Sequence, residues 1–110
     1  CSNPDIASPR ADGQNVMSPG ALAQDYAAAG GDVIYYGKPH QPIFESVAAA
    51  FHTPKPSRIL MVGDSPDHDI EGANGVGWHS VFIRGGLYAD NGQIHFPDVQ
   101  KPTYILPTLR

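Results

Sequence analysis

The 110-residue sequence is poor in cysteine, in charge and in long apolar runs. A single cysteine, Cys1, excludes an intramolecular disulfide framework and fits a reducing compartment, so a cytoplasmic location is expected. No apolar stretch approaches the roughly 20 residues that span a bilayer, and no role in the membrane is expected. Basic residues are outnumbered, 7 against 11 acidic, and the net charge of −4 disfavours nucleic acid and anionic lipid surfaces as partners. The five histidines are scattered without His-Glu-x-x-His or paired ligand spacing, which argues against zinc. A Walker-type phosphate loop is excluded because position 32 is Asp and Pro39 stands where Ser or Thr is required. The glycines at 72, 75 and 77 have the wrong spacing for a dinucleotide fingerprint and close a helix where the fingerprint opens one.

The chain opens on Cys1-Ser2-Asn3-Pro4-Asp5, without an initiator Met or a charged-then-apolar leader, and is expected to be a processed product or a piece of something longer. Its hydrophobic content of 41% suits one packed unit. Twelve glycines and eleven prolines predict short elements joined by tight connections.

Residues 1–17 lack a sustained period and read as loop. Ser18-Pro19 opens a helix over about 19–29, closed by Gly30-Gly31. Val33-Ile34-Tyr35-Tyr36 reads as a short buried strand, with the tyrosines as sheet packing. Ile43, Phe44, Val47, Ala48 and Phe51 recur at helical spacing between Pro42 and His52. Arg58 to Val62 has the continuous apolar character of a strand covered on both faces of a parallel sheet. A short helix is predicted from Ser65-Pro66 to Gly75-Val76-Gly77, then a strand at Ser80–Ile83, a long surface loop over 84–102, and a last strand at Tyr104–Leu106. This alternation predicts an α/β fold: a Rossmann-like parallel sheet with flanking helices.

The segment Met61-Val62-Gly63-Asp64-Ser65-Pro66-Asp67-His68-Asp69-Ile70 concentrates the chemistry. A strand ends at Val62, Gly63 turns, and Asp64 lies at the carboxyl end of the sheet, where open α/β folds bind ligands. If the helix starts at Ser65, Asp69 can face the same site as Asp64, whereas Asp67, about 200° away around the helix, faces solvent. Acids of this kind suit Mg²⁺, which takes one or two carboxylates and completes its shell with phosphate and water. The competing explanation is local: Ser65 caps the helix and Asp67 and Asp69 complement its dipole. Lys38, in Gly37-Lys38-Pro39-His40, follows another strand end and could bring an ammonium to the same sheet edge.

Taken in order, Asn3-Pro4-Asp5, Pro19-Gly20-Ala21-Leu22, Gly37-Lys38-Pro39, Val62-Gly63-Asp64-Ser65 with Asp67 and Asp69-Ile70, and Gly72-Ala73 resemble the haloacid dehalogenase (HAD) superfamily, in particular its p-nitrophenyl-phosphatase-like subclass IIA. The resemblance implies a Mg²⁺-dependent phosphatase of small phosphorylated metabolites that works through an aspartyl-phosphate. It implies Asp64 and Asp69 as the metal-binding acids, Asp69 acting mainly through metal-bound water. Lys38 and Asp69 become the catalytic residues, Lys38 and His40 those that bind substrate. Ser65 replaces an Arg common in relatives, and Asn3 and Asp5 match the return of the chain from the family's cap domain. The family's Asp-x-Asp-Gly nucleophile motif does not occur in these residues. Residues 1–110 are therefore expected to be a partial core domain, lacking the nucleophile segment and the cap and inactive alone, with self-association or pairing with the missing half in prospect. A receiver-like, non-enzymatic binding domain is the alternative; in receivers, however, the acids precede the lysine, and here Lys38 precedes Asp64.

Overall fold

The computed structural model describes residues 1–52, 54–86 and 94–109. Strands β1 (Ala7–Pro9) and β2 (Asn15–Met17) pair antiparallel, Ser8 opposite Val16. This hairpin occupies the segment expected to be loop. Its turn is held by Arg10 N–H to Gln14 O at 2.8 Å and Gly13 N–H to Arg10 O at 2.9 Å. The Asp12-Gly13 dipeptide is a hairpin signal, but strands of three residues containing polar side chains and a proline carry no legible period. Helix α1 (Pro19–Ala28) follows, with proline in its first turn as predicted. Ser18 at its N-cap makes no capping bond; its Oγ lies 2.6 Å from Ser8 Oγ and ties the helix start to the hairpin.

The strand expected at Val33–Tyr36 joins no sheet among the described residues. Its backbone bonds instead to the first residue: Tyr36 N–H to Cys1 O at 2.9 Å and the Cys1 amino group to Ile34 O at 2.6 Å. Tyr36 is exposed, and Tyr35 stacks on His40. Strand propensity measures fit to a pleated neighbour, and here that neighbour is one residue long.

Helix α2 (Gln41–Ala50) leads through a 3₁₀ turn at Pro56–Arg58 to strand β3 (Leu60–Gly63). A π-helical turn (Pro66–Ile70) runs into the short helix α3 (Glu71–Gly75), which returns to β4 (His79–Ile83); β5 (Tyr104–Leu106) completes a parallel sheet of order β3-β4-β5. Val62 stands opposite Val81, and Val81 opposite Tyr104.

Burial on both faces, expected of β3, belongs to β4, whose Ser80, Val81, Phe82 and Ile83 are all buried. Along β3 the pleat divides the side chains: Met61, like the preceding Ile59, packs on the core cluster of Phe44, Ala73 and Trp78, while Leu60 and Val62 are 51% and 43% exposed. Phe44 and Trp78 meet edge to face, centroids 5.3 Å apart, which welds α2 to the start of β4.

The described part of 84–102 is more than surface loop. Phe96 packs edge-on against the fully buried Phe82 at 5.2 Å, and a 3₁₀ turn spans Asp98–Gln100. Asn74 Nδ2 donates to the carbonyls of Val99 and Lys101, both at 3.0 Å, so α3 anchors this turn. Ser80 and Thr103 exchange backbone-to-hydroxyl bonds at 3.0 and 3.3 Å, fixing β5 beside β4. Residues 87–93 of the expected loop lie outside the described residues.

Candidate functional site

The carboxyl end of β3 turns at Gly63 into Asp64 and Ser65. Ser65 caps the π-turn, its Oγ accepting the His68 N–H at 3.3 Å, and its carbonyl accepts from both Asp69 N–H (2.9 Å) and Ile70 N–H (3.2 Å). The second of these spans five residues and widens the turn; such π-turns are often found at functional sites. Ser65 Oγ also donates to Asp67 Oδ1 at 2.7 Å. Asp67 is half exposed, as its place on the turn predicts.

The widened turn carries Asp69 inward to 3% exposure. Its Oδ2 accepts the backbone N–H of Asp64 at 3.1 Å and of Ser65 at 3.2 Å, and its Oδ1 is ion-paired with Lys38 Nζ. A buried carboxylate is tolerated when each oxygen has a donor, and here both do. Gly63 is required by this arrangement, because a Cβ there would overlap the Asp69 carboxylate. Lys38, Asp64 and Asp69 are thus brought to one end of the sheet, with Asp69 joining the other two.

Sequence reasoning missed Gly86. A Cβ on Gly86 would overlap the Asp64 carboxylate, so the backbone after β4 forms a wall against that side chain. The Gly85-Gly86 pair directly after a strand was the available signal, since glycine admits close backbone approach. An open cavity of about 350 Å³ adjoins this wall, lined by Val62, Gly63, Asp64, Ile83, Gly86 and Thr108. His40 sits at the N-cap of α2, its N–H bonded to Gly37 O at 2.9 Å and its ring stacked on Tyr35 with centroids 4.8 Å apart. Among the described residues, no three His, Cys, Asp or Glu side chains converge as a metal cage. No helix of the described residues is long and apolar enough to cross a membrane.

A family model described as HAD-hydrolase-like matches residues 35–110, the stretch that holds Lys38, Asp64, Asp69 and Gly86. A haloacid dehalogenase-like hydrolase from Brucella suis superposes with a TM-score of 0.80 at 33% identity, over 98% of this chain and 42% of that one. The glycerol phosphate phosphatase of Mycobacterium tuberculosis, solved with calcium, gives 0.78 at 30% identity, covering 94% of this chain and 30% of its own. The dihydroxyacetone phosphatase of Corynebacterium glutamicum is 27% identical over 99% of this chain and 38% of that protein. The chain therefore spans well under half the length of these relatives. The matched stretch covers the whole sheet β3-β4-β5 together with the loops that carry the lysine and both acids, and the chain belongs to the HAD-like hydrolase family.

Proposed function

We propose that these residues form the C-terminal part of the catalytic core of a Mg²⁺-dependent phosphatase that hydrolyses a small phosphorylated metabolite through an aspartyl-phosphate. The observation that carries this reading is the ion pair of Lys38 with the buried Asp69, whose other oxygen accepts the backbone N–H groups of Asp64 and Ser65. One end of the sheet thereby presents a fixed cation beside a fixed strand-end acid, the combination a phosphoryl group requires.

The donor set fits a hard cation. Asp64 is a carboxylate at a strand end, next to a cavity, and Mg²⁺ is satisfied by one or two carboxylates with the remaining positions left to phosphate and water. Asp64 would be the direct ligand, and Asp69, its oxygens engaged by Lys38 and the two N–H groups, would act through water around the ion. When bound, the cation supplies screening of phosphate charge. That the glycerol phosphate phosphatase was solved in complex with calcium supports a divalent cation as cofactor.

Lys38 balances the charge of the transferring phosphoryl group, and Asp69 keeps the ammonium from swinging into solvent. His40 lies two residues on, its ring stacked on Tyr35, and would contribute to binding the substrate. The nucleophile is a carboxylate from outside these 110 residues, since no Asp-x-Asp-Gly occurs in them. That the relative acts on dihydroxyacetone phosphate supports a small phosphorylated substrate.

The test has two arms. Titration of the chain with Mg²⁺ in the presence of inorganic phosphate should move the amide resonances of Gly63, Asp64, Ser65 and Lys38; no movement there overturns the site. The 110 residues alone should not hydrolyse p-nitrophenyl phosphate with Mg²⁺, and turnover at the rate of an intact family member overturns the partial-core reading.

A further inference from the structure

Residues 1–5 pass between the loops that support the site. Asn3 Oδ1 accepts the Asp5 N–H at 3.0 Å, and the Asp5 carbonyl accepts the Gly20 N–H at 3.1 Å at the start of α1. A Cβ on Gly37, the residue before Lys38, would overlap the Pro4 ring. On the other flank, Asp5 Oδ1 lies 3.6 Å from His68 Nε2. The opposite nitrogen of that ring, Nδ1, is 3.0 Å from Ser65 Oγ, and the Ser65 N–H is one of the amides that hold Asp69. One short segment therefore touches the backbone before Lys38 on one side and, through His68, the Asp64–Ser65 turn on the other.

We infer that His68 is a positioning residue that couples Asp5 to Ser65, so that residues 3–5 set the spacing between Lys38 and the Asp64 turn. Its importance for catalysis rests on the phosphatase reading; the coupling itself does not. The His68 and Asp5 side chains are 26% and 42% exposed, so the pair adds little to global stability. Its effect is local, on the turn that Ser65 and Asp69 close. Neither residue need touch substrate.

The experiment is amide hydrogen exchange in the 110-residue chain, comparing Asp5→Asn, His68→Asn and the double variant. Asparagine at 68 can still reach Ser65 but is too short for Asp5, and it opens little space. The amides of Asp64, Ser65 and Asp69 should exchange about two- to fivefold faster in each single variant, the scale of one half-exposed ion pair. The double variant should add nothing further, because the two residues act as one link. Asp5→Glu should restore most of the protection. Amides of Val81 and Phe82 in β4 should be unchanged. Unaltered exchange at 64, 65 and 69, additive effects, or equal acceleration in β4 would each overturn the coupling. None of these readouts involves phosphate or a cation, so a failed phosphatase reading would leave this result standing, and the reverse.

Discussion

Lys38 Nζ and Asp69 Oδ1 form an ion pair across 31 residues of sequence, and the two ends are unequally buried: the lysine side chain is 46% exposed, the aspartate 4%. The acid is the structural partner and the lysine the one that reaches out. Removing the acid strands a lysine and the amides of Asp64 and Ser65, whereas removing the lysine leaves a carboxylate still held by those amides. Asp69→Ala should therefore cost about 1–3 kcal/mol in urea unfolding, the penalty of leaving buried donors unpaired. Lys38→Met should cost about 1 kcal/mol or less, its half-exposed charge being screened by water. A larger loss for the lysine variant would reverse this assignment.

Two glycines give separable outcomes. Gly63→Ala places a methyl group on the buried Asp69 carboxylate and should destabilise the chain by about 1–3 kcal/mol, as overpacked interiors do. Gly86→Ala meets the Asp64 carboxylate at the cavity edge. It should leave thermal unfolding nearly unchanged while turning the Asp64 side chain, which the carboxyl carbon shift of that residue would report by NMR. Loss of stability in the Gly86 variant equal to that of Gly63→Ala would refute the distinction.

Trp78 is the sole tryptophan and packs edge-on to Phe44 with 8% exposure, so its fluorescence reports the α2–β4 junction. Phe44→Ala should red-shift the native emission and lower stability by about 3–5 kcal/mol, the usual cost of emptying a buried aromatic site. Unshifted emission would mean that the ring is not the main cover of the indole.

In an intact protein that also carries the nucleophile, Asp64→Asn and Lys38→Met should each lower Mg²⁺-dependent hydrolysis of an aryl phosphate by about a hundredfold or more, the scale of a lost preorganised charge. Retained turnover in the Asp64 variant would remove that residue from the metal site. The Lys38 effect should fall on kcat more than on KM, because the charge it balances grows in the transition state.

Much of this arrangement was legible beforehand. The run Arg58–Val62 followed by Gly63, Asp64, Ser65 and Pro66 announced a strand, a turn and a capped helix start; the strand forms at Leu60–Gly63, and Asp64 stands at its end. At α-helical angles Asp69 was expected to share a face with Asp64 and Asp67 to point to solvent; Asp69 is buried and Asp67 half exposed, but on a turn that is π-helical. The link from Asp69 to Lys38 is tertiary, and no spacing in the chain announces it. The hairpin at 7–17 was hidden because its pairing depends on local turn bonds and not on an apolar period. Val33–Tyr36 misled for the opposite reason: its composition suits a strand, but a strand needs a partner, and among the described residues its backbone bonds there are to Cys1. Gly86 was passed over as a site residue because its contribution is the side chain it lacks, and the glycine pair that signals it reads equally as a loop.

Among the described residues, strand β3 lies at the margin of its sheet, with Leu60 and Val62 on the less covered face. An uncapped strand margin is a template on which another copy can add, and apolar side chains beside it strengthen the attraction. In practice this bears on handling: the purified chain should gain apparent mass as its concentration rises, and a single lysine at position 60 should suppress that gain in light scattering. Solution work on the site is therefore best begun dilute, with the Leu60→Lys variant as the control for whether a measured effect belongs to one molecule or to a growing stack.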